Sequence, residues 1–315
     1  MPRAIRIFTF RGIPVRLHWA WLAVGAIQIW YLSGSYSSPL WNVAEYLTLF
    51  VIVLLHEFGH AFACRQTGGQ VDSILLWPLG GVARVAPPQR PGAQLWAIAA
   101  GPLVNLALAP VTVGLYLGGL TLGLGPDLVH FLGVMALINL GLFVFNMLPI
   151  YPLDGGQILR SLLWYVLGRD RSLTVAATIG LIASVTAGIA AVVVLQDLWI
   201  GVVAAYAAWS SWRGLQVARA RTELAQLPRH PAARCPHCGE APPDGVQVRC
   251  PEDHRFSPYQ PDDPGRCPQC GFEVPDMPCL HCGRRHRPTE AVAGWSARLD
   301  ALRPAPPTGG PPDPG

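Results

Sequence analysis

The chain is 315 residues long, 51% hydrophobic and only 13% charged, which argues against a wholly soluble protein. All 23 basic residues are arginine, and a net charge of +4 is too weak for a nucleic-acid binder. Residues 1–212 hold only Glu45, Glu57, Asp72, Asp127, Asp154, Asp170 and Asp197, while the other twelve acidic residues follow Trp212, so a membrane part precedes a soluble tail.

In chain order, six stretches are apolar enough to cross a bilayer, which takes about 20 residues: 17–34, 43–64, 93–120, 128–149, 173–196 and 198–213. The apolar run after Arg16 continues too far for a cleavable signal peptide and lacks a small-residue cleavage site. Arginine sets the direction of the spans. Arg3, Arg6, Arg11 and Arg16 precede the first; Arg65, Arg84 and Arg90 follow the second. Arg160, Arg169 and Arg171 follow the fourth; Arg213, Arg219 and Arg221 follow the sixth. The alternate connections (35–42, 121–127 and around 197) carry none, so both termini are expected in the cytoplasm of a multi-pass cell-membrane protein. Between the second and third spans, "QVDSILLWPLGGVARV" holds β-formers bounded by Gly and Pro. It reads as a short hairpin or re-entrant strand pair, or as a plain connection; periodicity alone does not separate them. Trp19, Trp21, Trp30, Trp41, Trp199, Trp209 and Trp212 suit interfacial belts. His18 and His130 belong near span ends, Glu45 is expected to be solvated, and Cys64 to be a buried small residue.

The chemistry begins at "LLHEFGH", 54–60. His56 and His60 are four apart and share one helical face, so both imidazoles reach one metal ion. Glu57 lies beside them as a general base toward water. Ionisable groups inside a span are costly and are functional by default. A catalytic zinc needs a third protein ligand. Asp154, in "NMLPIYPLDGG", is the other acidic residue at comparable depth. Pro149 and Pro152 break the helix there, and Gly155 and Gly156 allow a tight turn behind the carboxylate.

HExxH in one span, with N-x-x-P-x-x-P-L-D-G-G about 90 residues later, resembles the site-2 proteases, zinc metalloproteases that cut peptide bonds within or beside the bilayer. The residues concerned are His56, Glu57 and His60, then Asn146, Pro149, Pro152, Leu153, Asp154, Gly155 and Gly156. "GPLVN", Gly101 to Asn105, and "PLGG", 78–81, resemble further motifs of that family, and the likeness covers about 43–165. It implies a three-helix catalytic core made of the second, third and fourth spans. It implies zinc on His56, His60 and Asp154, and water activated by Glu57. Asn146 would then hold the substrate carbonyl or the developing oxyanion, unless it makes a helix–helix hydrogen bond; for Asn105 packing is the expected role. A spanning helix must unwind before attack, and a strand edge near Leu75–Val82 would capture the unwound segment by β-addition.

The tail carries "CPHCG" (235–239), "CPQCG" (267–271) and "CLHCG" (279–283), each a metal knuckle. Cys267, Cys270, Cys279 and Cys282 have the spacing of one closed site, leaving Cys235, Cys238, Cys250 and His254 for a second. An interleaved pairing of Cys235 and Cys238 with a later CxxC is the alternative, and iron is the rival metal. The tail from Arg213 on has 13 arginines against 12 acidic residues, which favours a cytoplasmic protein partner over nucleic acid.

The whole reads as an α-helical polytopic membrane protein of about six transmembrane helices with a small cytoplasmic zinc-ribbon module. Its expected parts are a membrane metalloprotease domain (1–212), a linker helix (213–234), the zinc-ribbon module (235–290) and a disordered Pro/Gly-rich end (291–315). The expected function is intramembrane zinc endopeptidase, with one catalytic and two structural zinc ions and a single-pass membrane protein as substrate. The rivals are a non-cleaving adaptor of the same fold acting through its ribbons, and a zinc transporter.

Overall fold

The computed structural model describes residues 4–31, 34–77, 80–231, 233–245, 247–260 and 263–292. The chain divides into two compact units, 1–220 and 221–315.

The first unit opens with strands β1 (Ala4–Phe10) and β2 (Ile13–His18). They are joined by Arg11 and Gly12, both at positive φ (47° and 76°), the signature of a two-residue type I′ hairpin turn. Helix α1 (Ala20–Tyr31) follows, then α2 (Pro39–Gln66), β3 (Gln70–Trp77), β4 (Gly80–Ala86), α3 (Pro91–Thr121), α4 (Pro126–Met147), α5 (Asp154–Leu167), α6 (Arg169–Val193) and α7 (Leu198–Gln226). Ser38 caps α2 by accepting from the Leu40 N–H, and Pro39 fits the first turn, where its missing N–H costs nothing.

Strands β1 to β4 form one sheet in that order. β3 and β4 are antiparallel, the hairpin alternative of the sequence reading, while β2 and β3 are parallel, with Val15 opposite Ile74 and Leu17 opposite Leu76. Pro78 and Leu79 of the "PLGG" stretch lie outside the described residues. The sheet packs on α2 through a core of Ile13, Val15, Ile74 and Leu76 against Val53, Phe58 and Ala61. That packing carries β4 past the histidine-bearing turn of α2.

Among the described residues, α2, α3, α4 and α6 are long and apolar enough to cross a membrane. The expected first span, 17–34, is different. Ile13 and Val15 alternate with outward residues, so β-pairing extends to His18. The remaining helix has 12 residues, a rise of about 18 Å against a hydrocarbon core of about 30 Å. Trp21 is buried, packed on Tyr46 and Phe50 of α2. Glu45 is not solvated: it is buried and accepts a 2.9 Å hydrogen bond from the Tyr36 hydroxyl. Cys64 is fully buried, as expected.

The second unit holds two short antiparallel hairpins, β5 (Val248–Arg249) with β6 (Arg255–Phe256) and β7 (Met277–Pro278) with β8 (Arg285–His286). Its apolar clusters are small: Ala233, Tyr259, Ala291 and Val292 in one, Cys250, Phe256 and Cys267 in the other. Ala291 and Val292 are thus packed rather than part of a loose end, and Ala291 accepts from the Arg234 N–H; residues 293–315 lie outside those described.

Candidate active site and metal centres

Three ligand-type atoms converge in the first unit. His56 and His60 project from adjacent turns of α2, with their Nε2 atoms 3.1 Å apart. Asp154, the first residue of α5, places Oδ2 at 3.1 Å from His56 Nε2 and 3.4 Å from His60 Nε2. All three side chains are largely buried.

The far side of each ring fixes its tautomer. His60 Nδ1 lies 2.9 Å from the Ala97 carbonyl, which can only accept, so Nδ1 carries the proton. His56 Nδ1 lies 2.6 Å from Asn105 Oδ1. The Asn105 amide nitrogen donates to Asn139 Oδ1 at 2.9 Å, and Asn139 donates back to the Asn105 carbonyl at 2.9 Å, so Asn105 Oδ1 is free to accept. Both Nε2 atoms therefore aim lone pairs at each other and at a carboxylate oxygen that is buried without a hydrogen-bond donor. Three acceptors within 3.4 Å repel unless a cation sits among them. The donor set, two imidazoles and one carboxylate, fits a catalytic zinc with one position left open.

Glycine makes room for the cluster. A Cβ on Gly101 of α3 would stand 2.3 Å from His60 Nε2 and 2.8 Å from His56 Nε2, in the space where the three ligand atoms meet. Gly59 lets α2 and α3 close, since a Cβ there would meet the Ala100 carbonyl oxygen at 2.6 Å. Gly155 and Gly156 let the start of α5 fold back on the end of α4: a Cβ on either would lie 2.4–2.5 Å from backbone atoms of Met147, Leu148, Ile150 or Tyr151. Tyr151 is itself clamped. Gly180 of α6 and Gly214 of α7 close on it, and Ser211 Oγ donates to its carbonyl. Helices outside the expected three-helix core thus hold the turn that presents Asp154.

Glu57 is buried on the same turn of α2 but does not join the ligand atoms. Its Oε2 accepts a 2.7 Å hydrogen bond from the Ala83 N–H on β4. Asn146 is half-buried near the end of α4, and among the described residues no hydrogen bond links it to His56, His60 or Asp154. Asn105 does more than pack, and Asn139 was not singled out in the sequence; a lone amide in mid-span was the signal for it. The Asn139–Asn105–His56 chain ties α4, α3 and α2 together. Replacing Asn105, the partner of His56 Nδ1, by Leu is expected to weaken zinc affinity about 10–100-fold, the usual cost of losing a partner behind a metal ligand. Competition with a chromogenic chelator measures it.

In the second unit the eight expected ligands form two groups, in the interleaved pairing rather than the adjacent one. Cys235 and Cys238 meet Cys279 and Cys282; Cys250 and His254 meet Cys267 and Cys270. Cys235 Sγ lies 3.9 Å from Cys282 Sγ, and Cys238 Sγ lies 3.8 Å from Cys279 Sγ. His254 Nδ1 lies 3.4 Å from Cys250 Sγ and 3.9 Å from Cys267 Sγ. The adjacent CxxC pairs were expected to share an ion. Instead, the Cys279–Cys282 turn sits at the tip of the β7–β8 hairpin and the Cys250–His254 turn at the tip of β5–β6, and each hairpin tip faces a knuckle from elsewhere in the chain. One group is nested inside the other. The three CxxCG knuckles share one backbone plan. The glycine N–H bonds back to the first cysteine's carbonyl at 2.9 Å in each case, with φ of 72–75° at Gly239, Gly271 and Gly283. Burial works against ionising Cys267, yet the amides of Cys270 and Gln269 outweigh it and bring the thiol down to about 7, toward the thiolate a metal requires.

Known proteins match the first unit. Residues 44–123 and 121–190 match the profile of peptidase family M50. A zinc metalloprotease of Methanocaldococcus jannaschii is 36% identical over 180 residues, 57% of this chain and 51% of that protein. A Synechocystis protein is 32% identical over 192 residues, 57% of this chain and 50% of its own length. The chain thus spans about half the length of the curated relatives it matches. Among solved structures, the site-2 protease from Methanocaldococcus jannaschii is 27% identical with a TM-score of 0.49, covering 67% of this chain and 95% of that one. Residues 44–190, just under half of the chain, are thus similar to peptidase family M50 and to zinc metalloproteases among the curated relatives.

Proposed function

We propose that the chain is an intramembrane zinc metalloendopeptidase that hydrolyses peptide bonds of membrane-spanning proteins. The observation that carries the proposal is the convergence of His56 Nε2, His60 Nε2 and Asp154 Oδ2, with Glu57 one residue from the first ligand and outside the ligand set. His56, His60 and Asp154 would hold the zinc, which when bound supplies Lewis acidity to the scissile carbonyl and to water. Glu57 takes a proton from the attacking water and returns it to the leaving amine nitrogen. Asn105 and the Ala97 carbonyl keep the imidazoles in the ligating tautomer. Asn146 remains a candidate for the substrate carbonyl.

The reading extends to topology. Although α1 alone is too short to span, β2 pairs with β3, which follows the C-terminal end of α2, so the chain from His18 to Pro39 must run to the other end of that helix. With α2, α3, α4, α6 and the apolar first half of α7 this makes six passes, an even number that puts both termini on one side. His60 stands six residues from the end of α2, about 9 Å, and Asp154 opens α5 just past the turn that follows Met147, the last residue of α4. The site therefore lies toward the arginine-bearing, cytoplasmic ends of these helices, within reach of water. The tail would hold two structural zinc ions and contact a cytoplasmic protein.

Reconstitution tests the proposal. In proteoliposomes with a single-pass substrate, the full chain is expected to cut, to stop after chelation and to recover with zinc. Intact substrate beside protein fully loaded with metal would overturn the reading.

A further inference from the structure

The carboxylate assigned as general base already has a partner. Glu57 Oε2 is bonded to the Ala83 N–H at 2.7 Å. The same carboxylate lies so close over Gly81 that a Cβ there would stand 2.3–2.5 Å from Glu57 Cγ, Oε1 and Cδ. β4 is the last strand of its sheet, so among the described residues one of its edges has no neighbouring strand. Residues in an antiparallel pair alternate between exchanging both ladder bonds and exchanging none. Ala83 stands opposite Ile74 and gives its N–H to Glu57, so it belongs to the second kind. Its N–H and C=O face the open edge, as those of Gly81 do two residues earlier. These are the groups an extended peptide must use to add as a further strand.

We infer that the Ala83 amide is a latch on the general base: it holds Glu57 against β4 until an extended substrate segment takes the same amide with its own carbonyl. The inference rests on the protease reading above and adds a regulation to it. One N–H serves one acceptor well, so Glu57 and a substrate carbonyl compete for it. A buried carboxylate without a donor is costly, so the idle chain keeps Glu57 on β4. An arriving strand displaces it, and the water and leaving nitrogen of the bound substrate supply its next partners. A helical segment cannot work the latch, because its carbonyls are already bonded internally. Unwinding then does two things at once: it presents the scissile bond and frees the base that acts on it. Gly81 acts as a positioning residue, since any side chain there would push the carboxylate off the amide.

Two measurements test the latch. The first compares hydrogen exchange across residues 80–86 in the full-length wild type and in Glu57→Ala. One amide is expected to exchange about ten-fold faster or more without the carboxylate, the loss of a charge-assisted bond. Its protection should return on adding an extended peptide whose scissile amide is reduced to CH2–NH. Equal exchange in the two proteins overturns the latch whether or not either cuts anything. The second uses Ala83→Pro, which an edge strand tolerates because that N–H makes no ladder bond. On a substrate too short to reach β4, kcat is expected to rise about ten-fold; on a long membrane-spanning substrate, KM is expected to rise. A higher KM with unchanged short-substrate kcat would leave β4 as a docking edge only and overturn the latch. A wild type that cuts neither substrate removes the protease reading, while the exchange result still decides the latch by itself.

Discussion

Glu57→Gln is expected to retain its zinc and lose cleavage by about 10²–10⁴-fold, the range set by removing a positioned general base. The geometry separates the two outcomes. The metal-holding atoms are His56 Nε2, His60 Nε2 and Asp154 Oδ2, and Glu57 is bonded elsewhere, to the Ala83 amide. Glutamine has the same length and keeps an oxygen that can accept from Ala83, so β4 stays on α2. It also fits over Gly81, where the space is already shaped to a carboxylate. What glutamine lacks is a site for the proton of the attacking water. The check is paired: metal content of the purified protein, and the rate of product formation from a co-reconstituted membrane-spanning substrate. A variant that keeps wild-type cleavage sinks the mechanism. One that loses metal along with cleavage places Glu57 among the ligands instead.

The site was more legible in the sequence than the fold around it, and the reason is locality. His56 and His60 are fixed by the helical repeat within one turn, and the residues that bend the chain to Asp154 are its immediate neighbours, Pro149 to Gly156. The β3–β4 hairpin was legible for the same reason, as one of two open readings. The β1–β2 arm was not, because a tally of apolar residues from Leu17 onward hides the period-two pattern of Ile13 and Val15. The parallel pairing of Val15 with Ile74 joins segments separated by two whole helices, and no nearby residue announces it. Glu45 looked solvated from its place near a helix start; only the fold brings Tyr36 over it. Asn105 and Asn139 were visible as polar residues in apolar helices, but their partner is a ring on a third helix. The knuckles of the tail are local and were read; which knuckle meets which is a tertiary fact.

That tertiary fact gives the second large effect. In the nested arrangement, Cys235→Ala and Cys282→Ala empty the same site, and the double variant is expected to cost one zinc ion, no more than either alone. Cys267→Ala with Cys282→Ala is expected to cost two, because these thiols face different ions. Pairing by adjacency reverses the second result, since Cys267 and Cys282 would then share one ion and the double variant would lose one. Mass spectrometry of the full chain under native conditions counts the ions directly. The stability consequence is large because so little else holds this unit. Its clusters contain one Tyr and one Phe as their only large buried rings among the described residues. Burying such a side chain contributes about 1.5–3 kcal/mol. A structural zinc site contributes on the order of 10–16 kcal/mol at neutral pH. Emptying the Cys235 site should therefore free the 279–282 hairpin tip while the Cys250 site keeps Phe256 packed beside Cys250 and Cys267. Emptying the Cys250 site is expected to loosen Phe256, which packs with Cys250 and Cys267, and to open the inner loop, leaving the outer site to close a longer, disordered chain. Limited proteolysis is expected to follow that order, with cuts near 279–282 in the first case and between 250 and 270 in the second.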